Sequence, residues 1–305
     1  MLALRLLHAS EIDSLKWDAC IARAPNGLPY AYFHYLNAMA DDWMALIAAD
    51  YRVVMPLPFR QRWGIRYVYR PPFVQRLGIF QYGQPDEDSV KKICYARALQ
   101  KFAYLHYSID AESWADFPGV KASLKPNYVI DLSKPYELIC SHYHPSLLHS
   151  LAKAHDARLR LQSGDVSDAI AFFYTHYQHR IPEMQQRDYA RLLQAAEKAN
   201  PYKILCHQVT DDDGNLLAVA VWLCDGRRMI TVLNGCNEAG RAKRAMHFLF
   251  DAIIREYGET QRILDFEGSS LPGVAKFIRS FGPSLETYFT IHVNALPVPL
   301  RWLKK

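Results

Sequence analysis

The 305-residue sequence has neither a Walker-type Gly-x-x-x-x-Gly-Lys-Ser/Thr nor a Gly-x-Gly-x-x-Gly run, which sets aside the common nucleotide-triphosphate and dinucleotide cradles. It also lacks Cys-x-x-Cys and His-Glu-x-x-His, and its twelve histidines do not gather on one helical face, so no metal is expected. No stretch approaches the roughly 20 apolar residues that cross a bilayer. The opening eight residues are too short in apolar run, and carry Arg5 too early, to read as a secretion signal. A cytoplasmic chain is the expectation. Its six cysteines, scattered through apolar segments, read as buried reduced thiols, and Cys236 alone lies in a stretch of chemical interest. Charged residues make up only 22% of the chain and hydrophobic ones 50%, so it should bury substantial cores rather than stay disordered. The net charge of +5 is mild and suits an anionic ligand, an RNA, or neither.

Local patterns mark the elements. A strand over residues 2–8 leads to a helix over 12–23 with Ser10 as its N-cap, and a second helix follows from about 32 to 42. Strands are expected over 43–49 and 51–60, with a pair within 65–80 interrupted by Pro71 and Pro72. Beyond a helix from 88, a strand over 104–109 and a short helix over 111–117, one more strand ends at Leu132. Ser133-Lys-Pro135 is the best boundary, giving domains 1–133 and 134–305. The second should open with a long helix over 136–157, then helices over 166–180 and 187–199. A meander of strands over 202–210, 216–224 and 229–234 follows, its hairpins marked by Asp213-Gly-Asn215 and Asp225-Gly226.

Residues 229–282 carry the densest chemistry. The strand Met229-Ile-Thr-Val-Leu-Asn234 enters a basic turn, Gly235-Cys-Asn-Glu-Ala-Gly-Arg-Ala-Lys-Arg244, which opens into a helix over 245–257. Exposed amides and the positive end of a helix dipole would converge there on an anion. The plainer alternative is an ordinary turn with solvated Lys and Arg. A strand over 263–268 would set Asp265 and Glu267 on one face, as candidates for a general base or for capping a nearby loop. In the first half, residues 51–85 hold six arginines and no lysine or acid, with aromatics between them. Arg60, Arg66, Arg70 and Arg76 could receive an anionic acceptor, or could simply line the wet face of half-buried strands. The tail over 295–305 is apolar with basic ends, suited to a membrane surface or to packing at the domain seam.

The order of strand, turn, helix, strand and helix resembles the C-terminal half of a GNAT-type acyltransferase domain. More narrowly, Asp265-Phe-Glu-Gly268 followed by Phe277-Ile-Arg-Ser-Phe-Gly282 is similar to the Asp-Phe-x-Gly and Phe-Lys-x-x-Phe-Gly of the FemAB branch, with Ile278 where that branch often has Lys. Leu151-Ala-Lys-Ala-His155 resembles the helix that leads into that branch's second domain. The likeness covers about the last half of the chain, and the first half by layout. It implies an α+β fold of two tandem GNAT-like domains, each a mixed, largely antiparallel sheet flanked by helices, the first of them degenerate. It further implies transfer of an acyl or aminoacyl group from a thioester such as acyl-CoA or acetyl-CoA to an amine on a small molecule or cell-wall precursor. Under that resemblance Thr231, Val232 and Leu233 would pair with pantetheine. Glu238, Ala239, Gly240, Arg241, Ala242, Lys243 and Arg244 would meet the pyrophosphate. Glu267, or else Asp265, would take the proton. The tyrosine that such enzymes often carry in the last helix is Phe277 here, so return of a proton to the thiolate would fall to Tyr288. Two alternatives stay open: an aminoacyl-tRNA donor, as in peptidoglycan-bridge enzymes, and an idle scaffold acting as a binding module.

Overall fold

The structure is a computed structural model describing residues 4–62, 64–83, 88–198, 200–268 and 271–296. The tail expected to meet a membrane or a seam lies, from residue 297 on, outside the described residues. The chain divides into two compact units, one of Met1–Lys125 with Thr287–Lys305 and one of Pro126–Glu286.

In the first unit β1 (Arg5–His8), β2 (Asp42–Ala48), β3 (Val53–Arg62) and β4 (Ile65–Val68) pair antiparallel in sequence order, β5 (Phe80–Gln81) pairs with β3, and β6 (Tyr104–Asp110) lies parallel to β4. Helix α1 (Ser14–Arg23) buries Trp17, Cys20 and Ile21, the i, i+3, i+4 stripe of an amphipathic helix. Asp13 caps it, accepting from the Leu15 and Lys16 amides, while the expected cap Ser10 sits in a 3-10 turn under His8. Trp17 meets Trp43 edge to face at 5.1 Å and donates to the Ala31 carbonyl. Helices α2 (Phe33–Met39) and α3 (Asp88–Lys101) complete this part. The helix expected over 111–117 is absent, because Ser113 there bonds through its amide and hydroxyl to the buried Asp110 and forms a turn.

The second unit takes its first strand from the end of β7 (Lys121–Asp131). Its sheet runs β7, β12 (Ile263–Asp265), β11 (Arg228–Cys236), β10 (Leu216–Cys224), β9 (Lys203–Thr210), β8 (Arg160–Ser163). Among the described residues of this sheet only β11 and β12 pair in parallel. β10 is buried from Leu217 to Cys224, an unbroken apolar run with helices on both faces. The helices are α4 (Tyr136–Cys140), α5 (Pro145–Asp156), α6 (Val166–Tyr177), α7 (Gln186–Glu197), α8 (Glu238–Ala242), α9 (Ala245–Tyr257) and α10 (Pro272–Arg279). The single long helix expected over 136–157 is thus two. Pro145 is tolerated at the first helical position under its cap His144 but not inside a helix, and the His144 amide turns away to the Ser280 carbonyl.

The last strand, β13 (Ser284–Asn294), crosses from one unit to the other. From Tyr288 to Asn294 it pairs antiparallel with β6, so the first unit's sheet is completed by the last described strand. Conversely, residues 129–131 of β7 pair with β12 in the second unit. Each unit therefore closes on a strand from the far half of the sequence.

Candidate active site

The second unit's chemistry is arranged around a parted pair of strands. β11 and β12 pair only from Arg228 opposite Ile263 to Ile230 opposite Asp265, and β11 then runs on to Cys236. Among the described residues no strand takes the place of β12 beside residues 231–236. The register with β10 slips between Leu233 opposite Val221 and Thr231 opposite Trp222, so Val232 is the extra residue of a β-bulge. Tyr177, at the end of α6, holds the far end: its hydroxyl accepts from the Cys236 amide at 3.0 Å and donates to the Cys236 carbonyl at 2.8 Å. Both groups of Cys236 therefore point away from β10, and by antiparallel alternation those of Asn234 share that edge. Thr231 stands opposite Trp222, whose ring packs on Phe250 of α9, and its hydroxyl is buried without a hydrogen-bond partner. Burial pushes the Cys236 thiol up from its usual pKa, which suits a packed, inert sulfur.

The basic turn is a tight structural piece. Asn237 accepts from the Gly240 amide at 2.7 Å and donates to the Leu216 carbonyl at 2.9 Å, pinning the turn to β10. A side chain at Gly240 would run into the Leu217 carbonyl, so only glycine fits. Arg241 donates to the Cys236 carbonyl at 3.0 Å. Lys243 pairs with Asp211 at 2.8 Å, and this hydrogen bond holds the Asp211 carboxyl down to about 2. The third cation, Arg244, is exposed, has a left-handed φ of 62° and immediately precedes α9. In the first turn of α9, His247 sits edge-on to Phe277 at 4.9 Å. Burial, and then Arg244, lower its pKa to about 4, and its Nδ1 is buried without a partner.

The two carboxylates do not share a strand face. β12 ends at Asp265, and Glu267 has a left-handed φ of 58°, so the period-two expectation fails at that point. Asp265 is fully buried and its Oδ2 lies 2.6 Å from Arg228 Nη1. Arg228 also grips Glu286 with both nitrogens, at 3.1 and 3.0 Å, and Asn127 donates to the same Glu286. Burial works against the guanidinium's charge, yet Asp265 and Glu286 hold its pKa above the usual value. The other Asp265 oxygen accepts from the Glu267 amide at 2.8 Å. Asp265 thus holds its neighbour's backbone, and Glu267, half-buried just past the strand end, is the less buried of the pair.

The remaining expected residues lie in the first unit. Tyr288 is buried in β13 opposite Asp110. Arg60 pairs with Asp41 at 2.6 Å and lies 4.1 Å over the Tyr69 ring. Arg66 donates to Gln61 and covers Phe59, on the opposite face of the β3–β4 hairpin. Arg70 is exposed, whereas Arg76 is buried beside Gln75. The four arginines do not converge on one surface. Sequence reasoning missed Tyr177, Asp211, Asn237 and Arg228; Asn237 carried a signal as an Asn before a helix, and the others carried none locally.

No protein-family model and no curated protein sequence matches the chain. Solved structures do: it overlays FemX with a TM-score of 0.65 at 14% identity, over 98% of this chain and 99% of that one. The fold is that of FemX and the tandem GNAT proteins. A tandem GNAT protein from the clavulanic acid biosynthesis pathway aligns at TM-score 0.51 and 10% identity, covering 97% and 99%. The C-terminal domain of a putative lysylphosphatidylglycerol synthetase from Agrobacterium fabrum aligns at 0.59 and 13%, covering 97% and 95%. The GNAT-like architecture expected from the order of elements, with mixed, largely antiparallel sheets flanked by helices, is present. Among the described residues no helix is long and apolar enough to cross a membrane, and no three His, Cys, Asp or Glu side chains gather as a metal site.

Proposed function

We propose that this protein is an N-acyltransferase that moves an acyl or aminoacyl group from an activated donor to an amine by direct attack. The observation that carries the reading is the open edge of β11, where residues 231–236 run past the end of β12 with a bulge at Val232. An extended pantetheine-like arm can add to such an edge as a strand does, with its carbonyl against backbone amides that steady the oxyanion. The amine attacks the carbonyl carbon, the carbon–sulfur bond breaks, Glu267 takes the amine's proton, and the thiolate is protonated from water. Fold likeness to FemX and to tandem GNAT proteins supports the class of chemistry. The acceptor is an amine, on a small molecule or a cell-wall precursor.

A thioester of coenzyme A is the first reading of the donor, with Arg244 and the amides at the start of α9 facing its phosphates. A second reading, an aminoacyl ester on tRNA, is favoured by the state of the turn: the Gly240 amide, Arg241 and Lys243 already have partners within the chain. Isothermal titration with acetyl-CoA and longer acyl-CoAs tests the first. Binding by the parent that weakens about tenfold in Arg244→Ala is expected for loss of one charge-assisted phosphate contact. No binding by the parent sinks the coenzyme reading, and retention on RNA that falls steeply with salt then supports the second.

A further inference from the structure

The transfer step above gives the cation between Asp265 and Glu286 no part. Arg228 stands at the start of β11, is nearly buried, and joins two carboxylates that would otherwise repel each other: Asp265 at 2.6 Å and Glu286 through a two-pronged contact at 3.0 and 3.1 Å. Asp265 is fully buried, so without a cation beside it the carboxylate would have to protonate or drag water into the sheet. Its second oxygen does a different task, accepting from the Glu267 amide at 2.8 Å. That bond matters because Glu267 occupies the left-handed backbone region, which a side-chain-bearing residue leaves unless it is held. Its carbonyl accepts from the Tyr128 amide of β7 at 3.3 Å, and Gly268 packs directly on the Pro126 carbonyl, where any side chain would clash. Residues 266–268 are therefore gripped by β7 on one side and by Asp265 on the other, and Asp265 keeps its grip only while its carboxyl stays aimed at the Glu267 amide.

We propose that Arg228 is a positioning residue: by pairing with Asp265 it fixes the backbone of Glu267 and so sets where the Glu267 carboxylate stands at the end of β12. The inference rests on the reading of Glu267 as the proton acceptor, but its geometry can be tested apart from any reaction. Lysine cannot replace Arg228, because a single ammonium cannot span both carboxylates as the guanidinium does. Glu286, held by Asn127, anchors the other side of the guanidinium.

The experiment is residue-by-residue amide hydrogen exchange by NMR on the full chain, comparing the parent with Arg228→Met, Arg228→Lys and the double variant Arg228→Met/Asp265→Asn. In Arg228→Met the Glu267 amide should exchange at least about tenfold faster beyond any change in the central strands β9 and β10, the equivalent of losing one charge-assisted hydrogen bond. Arg228→Lys should fall between. In the double variant the buried charge is gone and the introduced carboxamide still offers an acceptor oxygen, so protection at Glu267 should return to within about threefold of the parent. Acceleration spread evenly over the whole unit, or no recovery in the double variant, overturns the proposal by making Arg228 a general stabiliser. Should Arg228→Met not fold, the lysine and double variants carry the same comparison. Turnover of acetyl-CoA with hydroxylamine as a surrogate amine is measured beside it. A parent with no turnover but the expected exchange pattern would count against the acyltransferase reading and leave the positioning intact, whereas turnover and its pH profile unchanged in Arg228→Met would overturn the positioning.

Discussion

His247 presents a buried ring nitrogen with no partner beside an exposed arginine, and its pKa near 4 has a measurable consequence. In the unfolded chain a histidine titrates near 6.5. Between about 6.5 and 4 the unfolded chain binds a proton that the folded one refuses, so stability falls as pH drops through that window. His247→Leu should remove this slope. Comparing urea midpoints at pH 7 and 4.5, the parent should lose on the order of 1–2 kcal/mol more than the variant. Burial raises Asp18 and Asp110, in the first unit, to about 6, which contributes stability that is present at low pH and lost as pH rises to 6. Their effect has the opposite sign and is shared by parent and variant, so it cancels in the difference. Equal slopes would mean that His247 protonates freely in the fold.

At the scale of elements, the parted strands depend on the contact between α6 and β11. Tyr177→Phe keeps the ring stacked on Phe173 at 4.9 Å but removes the hydroxyl that serves both backbone groups of Cys236. Thermal unfolding should show a loss of about 1–2 kcal/mol, with the Cys236 amide losing its exchange protection first. An unchanged Cys236 amide would show that the open edge is held by the rest of the sheet. The strands and helices that flank the site could be read from sequence because their signals are local: a short, mostly apolar run over 229–234, a 3.6-residue period in 245–257, Asp-Gly turns between strands. Where the reading failed, particular contacts decide, some local and some between residues far apart in sequence. The break before Pro145 is fixed by Ser280, and a side chain at Gly282 would meet the His142 carbonyl. Glu267 leaves the strand because Asp265 captures its amide. Lys243 and Asp211 meet across 32 residues and Arg228 and Glu286 across 58, separations at which no pattern in one sequence announces a pair.

For the molecule as a whole, the exchange of closing strands sets what can be cut away. The boundary read at Ser133 falls inside the second unit, and a chain stopped there would leave β6 without β13. Two truncations, ending at Leu296 and at Glu286, isolate the effect. The longer should keep exchange protection in β6 and the Trp114–Phe289 stack of 5.2 Å, and the shorter should lose both while the second unit keeps its protection. An intact β6 in the shorter chain would show that the first unit closes by other means. The loss should reach a few kcal/mol, since β13 buries Tyr288, Ile291 and Val293. The same exchange dictates an order of events during synthesis. The residues that complete the first unit are translated only after the whole second unit, a delay of roughly ten to thirty seconds at ordinary rates of synthesis. For that interval β6 has an open edge and Trp114 lacks the Phe289 ring that stacks on it, so the first-made half of the chain should be the last to finish folding.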